Sequence, residues 1–272
     1  MVKVLREVPV KRGVIVVAML LGLALAQSQP QIVRWGEYTV RIESRSPTES
    51  LLRIIRADRT QVEIRGVRFE TQLVELTGQE PRELWINENS GGTNCCTTAY
   101  FFTQERSFRN MLIYYGRSTG ILELRDVNGD KIPEVIVGTD VFADFGGLPR
   151  AVYPRLTYLL GWDGVRYVDV TARYPTLGFS TLSFYRQSLE SALKTGDGVG
   201  ARSAALGYYA RGLINGQAAE ARDWISKNTP AEVRRWLFDL EGEVLRALYA
   251  DLGCRLTVSY SKVLPPKPVC AN

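Results

Sequence analysis

The sequence contains no histidine. This absence excludes Ser-His-Asp and Cys-His catalysis, the H-E-x-x-H zinc site and pH switching by imidazole. An enzyme built from this chain would have to work with carboxylates, lysine, tyrosine or a bound ion.

Clusters of basic residues are missing as well. The formal net charge of the chain is +5, but Lys3, Arg6, Lys11 and Arg12 stand against only Glu7 at the N-terminus, so the rest of the chain is near +2. No run of Lys or Arg remains that resembles a nucleic-acid footprint. The sequence therefore predicts no nucleic-acid partner.

The N-terminal apolar run is short. It covers residues 14–26, "VIVVAMLLGLALA", whereas a membrane-spanning helix needs about 20 apolar residues. The basic segment before it and the small residues Ala24 and Ala26 at its end are typical of a secretory signal peptide. We therefore expect residues 1–26 to be cleaved before Gln27. The mature protein is then secreted, periplasmic or extracellular, with no membrane span.

Short runs between residues 32 and 170 alternate apolar and polar residues. In "EYTVRIES", for example, Tyr38, Val40 and Ile42 share one face. Turn sequences such as "NSGG", "RSTG" and "WDG" separate these runs, which is typical of antiparallel sheets. The pattern predicts an α+β protein with a propeller-like or sandwich-like β module at residues 27–178. Because its alternation is complete by Val170, we expect this module to keep its strands when the chain is cut near Thr181.

From about Thr181 the apolar period becomes helical, which predicts a helical module with an extended tail at residues 179–272. In "SFYRQSLESALKT", Phe184, Leu189 and Leu193 are candidates for one buried face. Thr229 and Glu232 form a capping box that begins the best-defined helix. The apolar positions of that helix are Val233, Trp236, Leu237, Leu240, Val244, Leu248 and Leu252, with Gly253 as its predicted end.

The segment "RDVNGDKIPEVIVGTD" has the composition of a metal loop. Asp126, Asn128 and Asp130 alternate along it and Glu134 follows. Calcium takes six to eight oxygen ligands, and alternate positions of a tight loop can converge on one ion. These four side chains and the backbone carbonyl of Ile132 are therefore the predicted calcium ligands.

A hairpin without an ion is the alternative. "VNGD" contains Asn-Gly, a strong two-residue hairpin signal, between the predicted strands "ILELR" and "EVIVG". Asx residues also favour turns in the absence of a metal. A hairpin does not need three carboxylates, however, and these repel each other unless a cation lies among them. The sequence favours the ion.

"DVNGDKIPEVIV" resembles the calcium loops of FG-GAP or VCBS-like β-propeller repeats, with Lys131 where the repeats have glycine. "NSGGTNCC" and "LLGWDGVRYVDVTARYP" resemble stretches of a group of secreted bacterial proteins, so the resemblance covers about Asn89 to Pro175. It implies a propeller-like β fold and a calcium site, and no particular activity. The β module is too short for six or seven blades of about 40–45 residues each.

The four cysteines of the chain are Cys95, Cys96, Cys254 and Cys270. Disulfides can form after export, and four cysteines allow three pairings. Neighbouring side chains in a strand point to opposite faces, so Cys95 and Cys96 would not easily both reach the tail. We therefore expect bonds 95–96 and 254–270. The second would contribute about 3 kcal/mol by closing a loop of about 15 residues.

Three functions are compatible with these features. The favoured one is a secreted, calcium-stabilised binding or structural module of the cell envelope, with an envelope protein or glycan as partner. The second is a histidine-free carboxylate hydrolase of glycans. Its candidate residues are Asp140, Asp144, Glu83 and Glu88, with Trp85 or Tyr100 as a sugar platform. The third is a thiol-disulfide sensor that uses Cys95 and Cys96.

Overall fold

A computed structural model describes residues 29–92, 95–105, 107–177, 180–257 and 264, with the side chains of Cys95 and Thr257 excepted. These residues form thirteen strands and five helices. The strands are β1 Gln31–Trp35, β2 Tyr38–Ser46, β3 Glu49–Arg56, β4 Arg59–Gly66, β5 Arg68–Val74, β6 Glu83–Gly92, β7 Cys95–Thr103, β8 Arg109–Arg117, β9 Ile121–Arg125, β10 Glu134–Thr139, β11 Leu156–Trp162, β12 Tyr167–Asp169 and β13 Leu256–Thr257. The helices are α1 Leu182–Thr195, α2 Gly198–Ile214, α3 Ala218–Asn228, α4 Ala231–Asp239 and α5 Glu241–Arg255.

The strands form three antiparallel sheets in chain order. Sheet 1 has the order β1-β2-β3-β4, sheet 2 the order β13-β8-β7-β6-β5, and sheet 3 the order β12-β11-β10-β9. Each sheet is thus built from four consecutive strands, and β13 alone returns from the helical region to the edge of sheet 2 beside β8. The predicted α+β class with antiparallel strands is confirmed.

Sheet 2 is buried on both faces. One shared core joins it to sheet 1 and includes Leu52, Ile54, Ile86 and Phe102. Another joins it to sheet 3 and includes Phe101, Tyr114, Val137 and Leu160. Other sheets cover both faces of sheet 2, so the residues of β8 are buried in a nearly continuous run, "NMLIYYG". A strand with one face in solvent would instead alternate buried and exposed residues.

The helices share a core with the β region. Phe142, Leu148 and Leu156, which follow or begin strands of sheet 3, pack with the buried faces of α1, α2 and α4. Helices α1 and α2 approach closely at Gly207 of α2, where a Cβ atom would lie 2.3 Å from the Tyr185 ring of α1. A glycine is therefore needed for α1 to pack directly on α2. The strands of sheet 3 end at Asp169 and the helices begin at Leu182.

The long helix predicted from Thr229 is two helices, so its predicted capping and end are wrong. The Thr229 hydroxyl donates to the Ile225 carbonyl at 2.7 Å, and no side chain caps α4 after Pro230. The predicted stop, Gly253, lies inside α5. The break lies at Leu240, which ends α4 and precedes α5. Both helices pack on the helical core, α4 through Val233 and Leu237 and α5 through Val244, and α5 also directs Asp251 and Arg255 toward the sheets.

The apolar face of α1 also differs from the prediction. Tyr185, Leu189 and Ala192 are its buried residues, while Phe184 is 50% exposed. Both faces are apolar in sequence, so the periodicity alone did not choose between them. Elsewhere in the described chain, no helix has the length and apolar composition needed to cross a membrane. The predicted signal peptide lies outside the described residues.

Candidate functional site

The predicted calcium loop connects β9 to β10. These strands are antiparallel, with Arg125 opposite Glu134, so the pairing closes the loop at both ends. Glu134 is buried, 4% exposed, at the start of β10. The strand pairing therefore brings the last predicted ligand back beside the first.

Asp126 organises the turn through its carboxylate. Its Oδ1 accepts from the Gly129 N–H at 2.7 Å, and its Oδ2 accepts from the Lys131 N–H at 2.9 Å. Burial opposes ionisation, but these backbone donors prevail and hold the pKa of Asp126 below its ordinary value. Asp126 is therefore ionised at neutral pH and closes the loop.

Asn128 lies between the other two carboxylates. Its Nδ2 donates to Asp130 Oδ2 at 2.9 Å and to Glu134 Oε1 at 3.1 Å. The second oxygen of Glu134 accepts from the Val127 N–H at 2.9 Å, and Asp130 Oδ1 accepts from the Ile132 N–H at 2.7 Å. The structure thus gathers the predicted ligands around one turn.

Two residues of the turn have left-handed backbone conformations. Gly129 has φ +83° and Lys131 has φ +71°. This region suits glycine and is disfavoured for residues with a Cβ atom. Lys131 therefore adopts a backbone conformation that glycine would adopt at lower cost.

The donor chemistry of the loop fits calcium, which prefers oxygen ligands. Each carboxylate oxygen named above accepts one hydrogen bond and keeps a second lone pair. Within the described part of the chain, however, no three acidic, histidine or cysteine side chains are already grouped to hold a metal. The Asn128 nitrogen, which is a donor, faces Asp130 and Glu134. The same hydrogen bonds also serve a hairpin with Asx turns, so the calcium ligands stay a prediction.

The acids proposed for glycan hydrolysis are not brought together. Glu83 and Glu88 are both buried on β6, but an odd separation of five residues puts them on opposite faces. Glu83 accepts from the Leu76 N–H and the Thr77 hydroxyl, and its burial raises its pKa. Glu88 accepts from the Tyr100 hydroxyl at 2.7 Å.

The remaining hydrolase candidates also have other partners. Asp144 pairs with Arg150 at 2.8 Å on the surface, while Asp140 is buried. The Trp85 ring stacks on Phe101 with centroids 5.6 Å apart. Each candidate therefore already has a local structural role.

Asp140 belongs to a buried ionic group, the Arg255 cluster, composed of Asp140, Asp251 and Arg255. Arg255 Nη2 donates to Asp140 at 2.6 Å and Nε donates to Asp251, and these side chains are at most 3% exposed. Ser118 and Thr139 complete the cluster by donating from their hydroxyls to Asp140 and Asp251, both at 2.5 Å. The cluster ties the end of α5 to sheets 2 and 3.

The two acids of the Arg255 cluster differ in pKa. Burial would raise the pKa of Asp140, but the Ser118 hydrogen bond and the Arg255 charge lower it below its ordinary value. Burial raises the pKa of Asp251 despite the same guanidinium. Sequence reasoning missed this cluster. The spacing of Asp251 and Arg255, four residues apart in a helix, was the available signal.

A cleft of about 660 Å³ lies between sheet 3 and helices α1 and α2. Small hydroxyl side chains, aromatic rings and one guanidinium, that of Arg155, line it, and none of its described lining residues is a carboxylate. Sequence reasoning missed the cleft because its lining comes from separate segments that carry no motif.

The cysteines are only partly described. Cys96 and Cys254 are both in the disulfide-bonded state, and the Cys96 N–H donates to Ser90 Oγ at 2.7 Å. The Cys95 side chain and Cys270 lie outside the described residues. The pairs 95–96 and 254–270 therefore stay a prediction.

Comparison with known proteins adds no relative. A scan of protein-family models found no match, and a search of curated proteins found no matching protein. The resemblance to calcium-loop repeats therefore rests on the quoted sequence segments.

Proposed function

We propose that the protein is a secreted binding module of the bacterial cell envelope whose β region is stabilised by calcium. The observation that carries the binding role is the chemistry of the cleft. Hydroxyls, aromatic rings and a guanidinium can recognise a ligand, and the four acids considered for hydrolysis lie elsewhere. Hydrolysis by paired carboxylates would require two of them to face one site.

The calcium role is supported by the loop between β9 and β10. Asp126, Asn128, Asp130 and Glu134 would hold the ion through side-chain oxygens, together with the Ile132 carbonyl. Calcium would neutralise three carboxylates that now lie around one turn. It would also join the two strand ends, so the folded state would gain the binding free energy.

We also propose that the β region is propeller-like. Each sheet contains four consecutive antiparallel strands, as in a propeller blade, with β13 added to the edge of sheet 2, and successive sheets pack face to face. Three such sheets agree with the short length of the region.

Secretion rests on residues 1–26. We expect the exported protein to begin at Gln27, because the apolar run ends in the small residues that signal peptidases require. N-terminal sequencing of protein recovered from outside the cytoplasm checks this. Retention of residues 1–26 would contradict it.

Calcium is expected to raise the thermal stability of the mature protein. An ion that binds only the folded loop contributes about 2.7 kcal/mol at a hundredfold excess over Kd. For a domain of this size, this corresponds to a rise in Tm of roughly 5–10 °C. Thermal denaturation in calcium and in chelator measures the effect. Magnesium is expected to replace calcium poorly, because it demands six short bonds in octahedral geometry.

Asp130→Asn separates calcium binding from the hairpin. It keeps an oxygen for the Ile132 N–H but removes one charge, so we expect the Tm in chelator to stay near wild type and the calcium response to be lost. The matched control is Asp163→Asn. Asp163 likewise accepts backbone N–H bonds in an exposed turn, from Val165 and Arg166, and the calcium response should persist in that variant. If the wild-type Tm ignores both calcium and chelator, the loop is only a hairpin.

A further inference from the structure

The cleft lies where the β and helical regions meet. Gly138 in sheet 3 and the Thr119 turn line one side, while Tyr185 of α1 and Ser203 of α2 line the other. The Tyr185 hydroxyl donates to the Arg155 carbonyl at 2.6 Å, which fixes the segment leading into β11. The volume of the cleft is in the range of ordinary small-molecule sites.

The side chains that line the floor of the cleft are uncharged, and the buried Arg211 guanidinium lies behind them, where it donates to the Thr157 carbonyl at 2.7 Å. Thr157 and Ser180 are buried in this floor, and their hydroxyls lie 3.3 Å apart. Single hydroxyls can each form few bonds to a ligand, and the described lining contains no Asp, Glu, Asn or Gln side chain. Sites that recognise the many hydroxyls of a glycan commonly use the carboxylate and amide side chains of these four residue types, each of which can form two or more hydrogen bonds. The floor therefore favours a ligand with few polar atoms.

Apolar side chains are exposed around the mouth. Leu122 and Phe184 line the cleft and are 42% and 50% exposed. Val152 and Val199 are also exposed, and each directly adjoins a lining residue in sequence. Large apolar side chains exposed in the lining of a concave site, such as Leu122 and Phe184, are typical of a ligand-binding surface. They provide contact for an apolar body.

Arg155 supplies the positive charge of the cleft. It is exposed, and its guanidinium carbon lies 6.0 Å from the centre of the Tyr153 ring. No carboxylate among the described residues forms an ion pair with it. A single guanidinium can bind one carboxylate with two hydrogen bonds, whereas a doubly charged phosphate would call for further cations.

We infer that the cleft binds an amphipathic carboxylate, with its apolar chain against Leu122 and Phe184 and its carboxylate at Arg155. This inference rests on the proposed binding role and assigns a ligand class to it. The uncharged side chains of the floor, the apolar mouth and the single guanidinium among the described lining residues together fit an apolar chain with one anionic end.

The test is calorimetric titration of the mature full-length protein with decanoate in the presence of calcium. We expect a Kd of roughly 0.1 mM, in keeping with a ligand of about twelve heavy atoms. Arg155→Gln should weaken binding about tenfold by removing the charged hydrogen bonds. Phe184→Ala should weaken it by a similar factor through lost apolar contact. Both residues are exposed, so both variants should fold.

Two controls isolate the recognition. Arg150→Gln removes a nearby exposed arginine that pairs with Asp144 and does not line the cleft, so binding should be unchanged. Decanol should bind wild type about tenfold more weakly than decanoate and should not respond to Arg155→Gln. The inference is overturned by absence of decanoate binding at millimolar concentration, by full binding to Arg155→Gln or Phe184→Ala, or by equal affinity for decanol.

The outcome is separable from that of the calcium proposal. Decanoate binding without a calcium effect on Tm would leave the ligand inference standing and remove the calcium role. A calcium effect on Tm without decanoate binding would leave the calcium role standing and remove the ligand inference.

Discussion

Arg255→Ala should lower the free energy of unfolding by about 3–5 kcal/mol, because it removes the guanidinium that pairs with two buried carboxylates. Asp140 would keep only the more distant Arg117, at 3.8 Å. Asp140 and Asp251 are each at most 3% exposed, and both accept from the same guanidinium. The substitution also removes one of the donors to the Gly116 carbonyl, which keeps the Thr119 N–H and hydroxyl. Guanidinium chloride denaturation at pH 7 measures the loss.

The matched control is Arg246→Ala. Arg246 is an exposed arginine of the same helix, so its removal should change the unfolding free energy by less than about 0.5 kcal/mol. A similar small loss for Arg255→Ala would show that the Arg255 cluster does not stabilise the fold.

The pH dependence distinguishes lost charge pairing from lost packing. In wild type, the lowered pKa of Asp140 contributes stability at neutral pH that is lost as the pH falls through the folded pKa, below the ordinary 3.8. In Arg255→Ala the guanidinium no longer lowers either pKa, so the pKa of Asp140 should rise and the already raised pKa of Asp251 should rise further. The variant should therefore gain more stability than the wild type as the pH falls. The difference in unfolding free energy between wild type and variant should therefore become smaller as the pH falls from 7 to 4. A constant difference would indicate a cavity effect alone.

Residues 27–178 expressed alone should not fold cooperatively, which reverses the expectation drawn from the sequence. Removing the helices would uncover Phe142, Leu148 and Leu156, which are at most 4% exposed. It would also leave Asp140 without Arg255. Loss of the buried ion pair with Arg255 alone should cost about 3–5 kcal/mol, which is comparable with the whole free energy of unfolding of many domains. Near-ultraviolet circular dichroism and thermal denaturation in calcium test this.

Co-expression with residues 179–272 is the control for the truncation. The second fragment supplies the apolar cover and Arg255, so the pair should regain a cooperative transition. A cooperative transition of residues 27–178 alone would show that the shared core is dispensable and that the two modules fold independently.

The local sequence determined the class of each segment. Alternating runs such as "EYTVRIES" became strands, because a half-buried strand needs an apolar residue at every second position. The Asn-Gly pair of "VNGD" led to a turn, because Gly129 can adopt a positive φ and Asp126 can accept from the turn's backbone. The composition without histidine also limited the chemistry before any fold was known. These properties depend on neighbours within a few residues along the chain.

The tertiary structure alone decided which faces are shared and which charges meet. Leu240 lies between α4 and α5 and interrupts the predicted long helix, and α5 then packs on the helical core through Val244 while it carries Asp251 and Arg255 to the sheets. Asp140 and Arg255 are 115 residues apart, and no local pattern pairs them. The cleft likewise joins the turn before β9 to α1 and α2 through side chains with no common motif. Such contacts depend on how three sheets and five helices pack within the described residues, and periodicity carries no information about distances between elements.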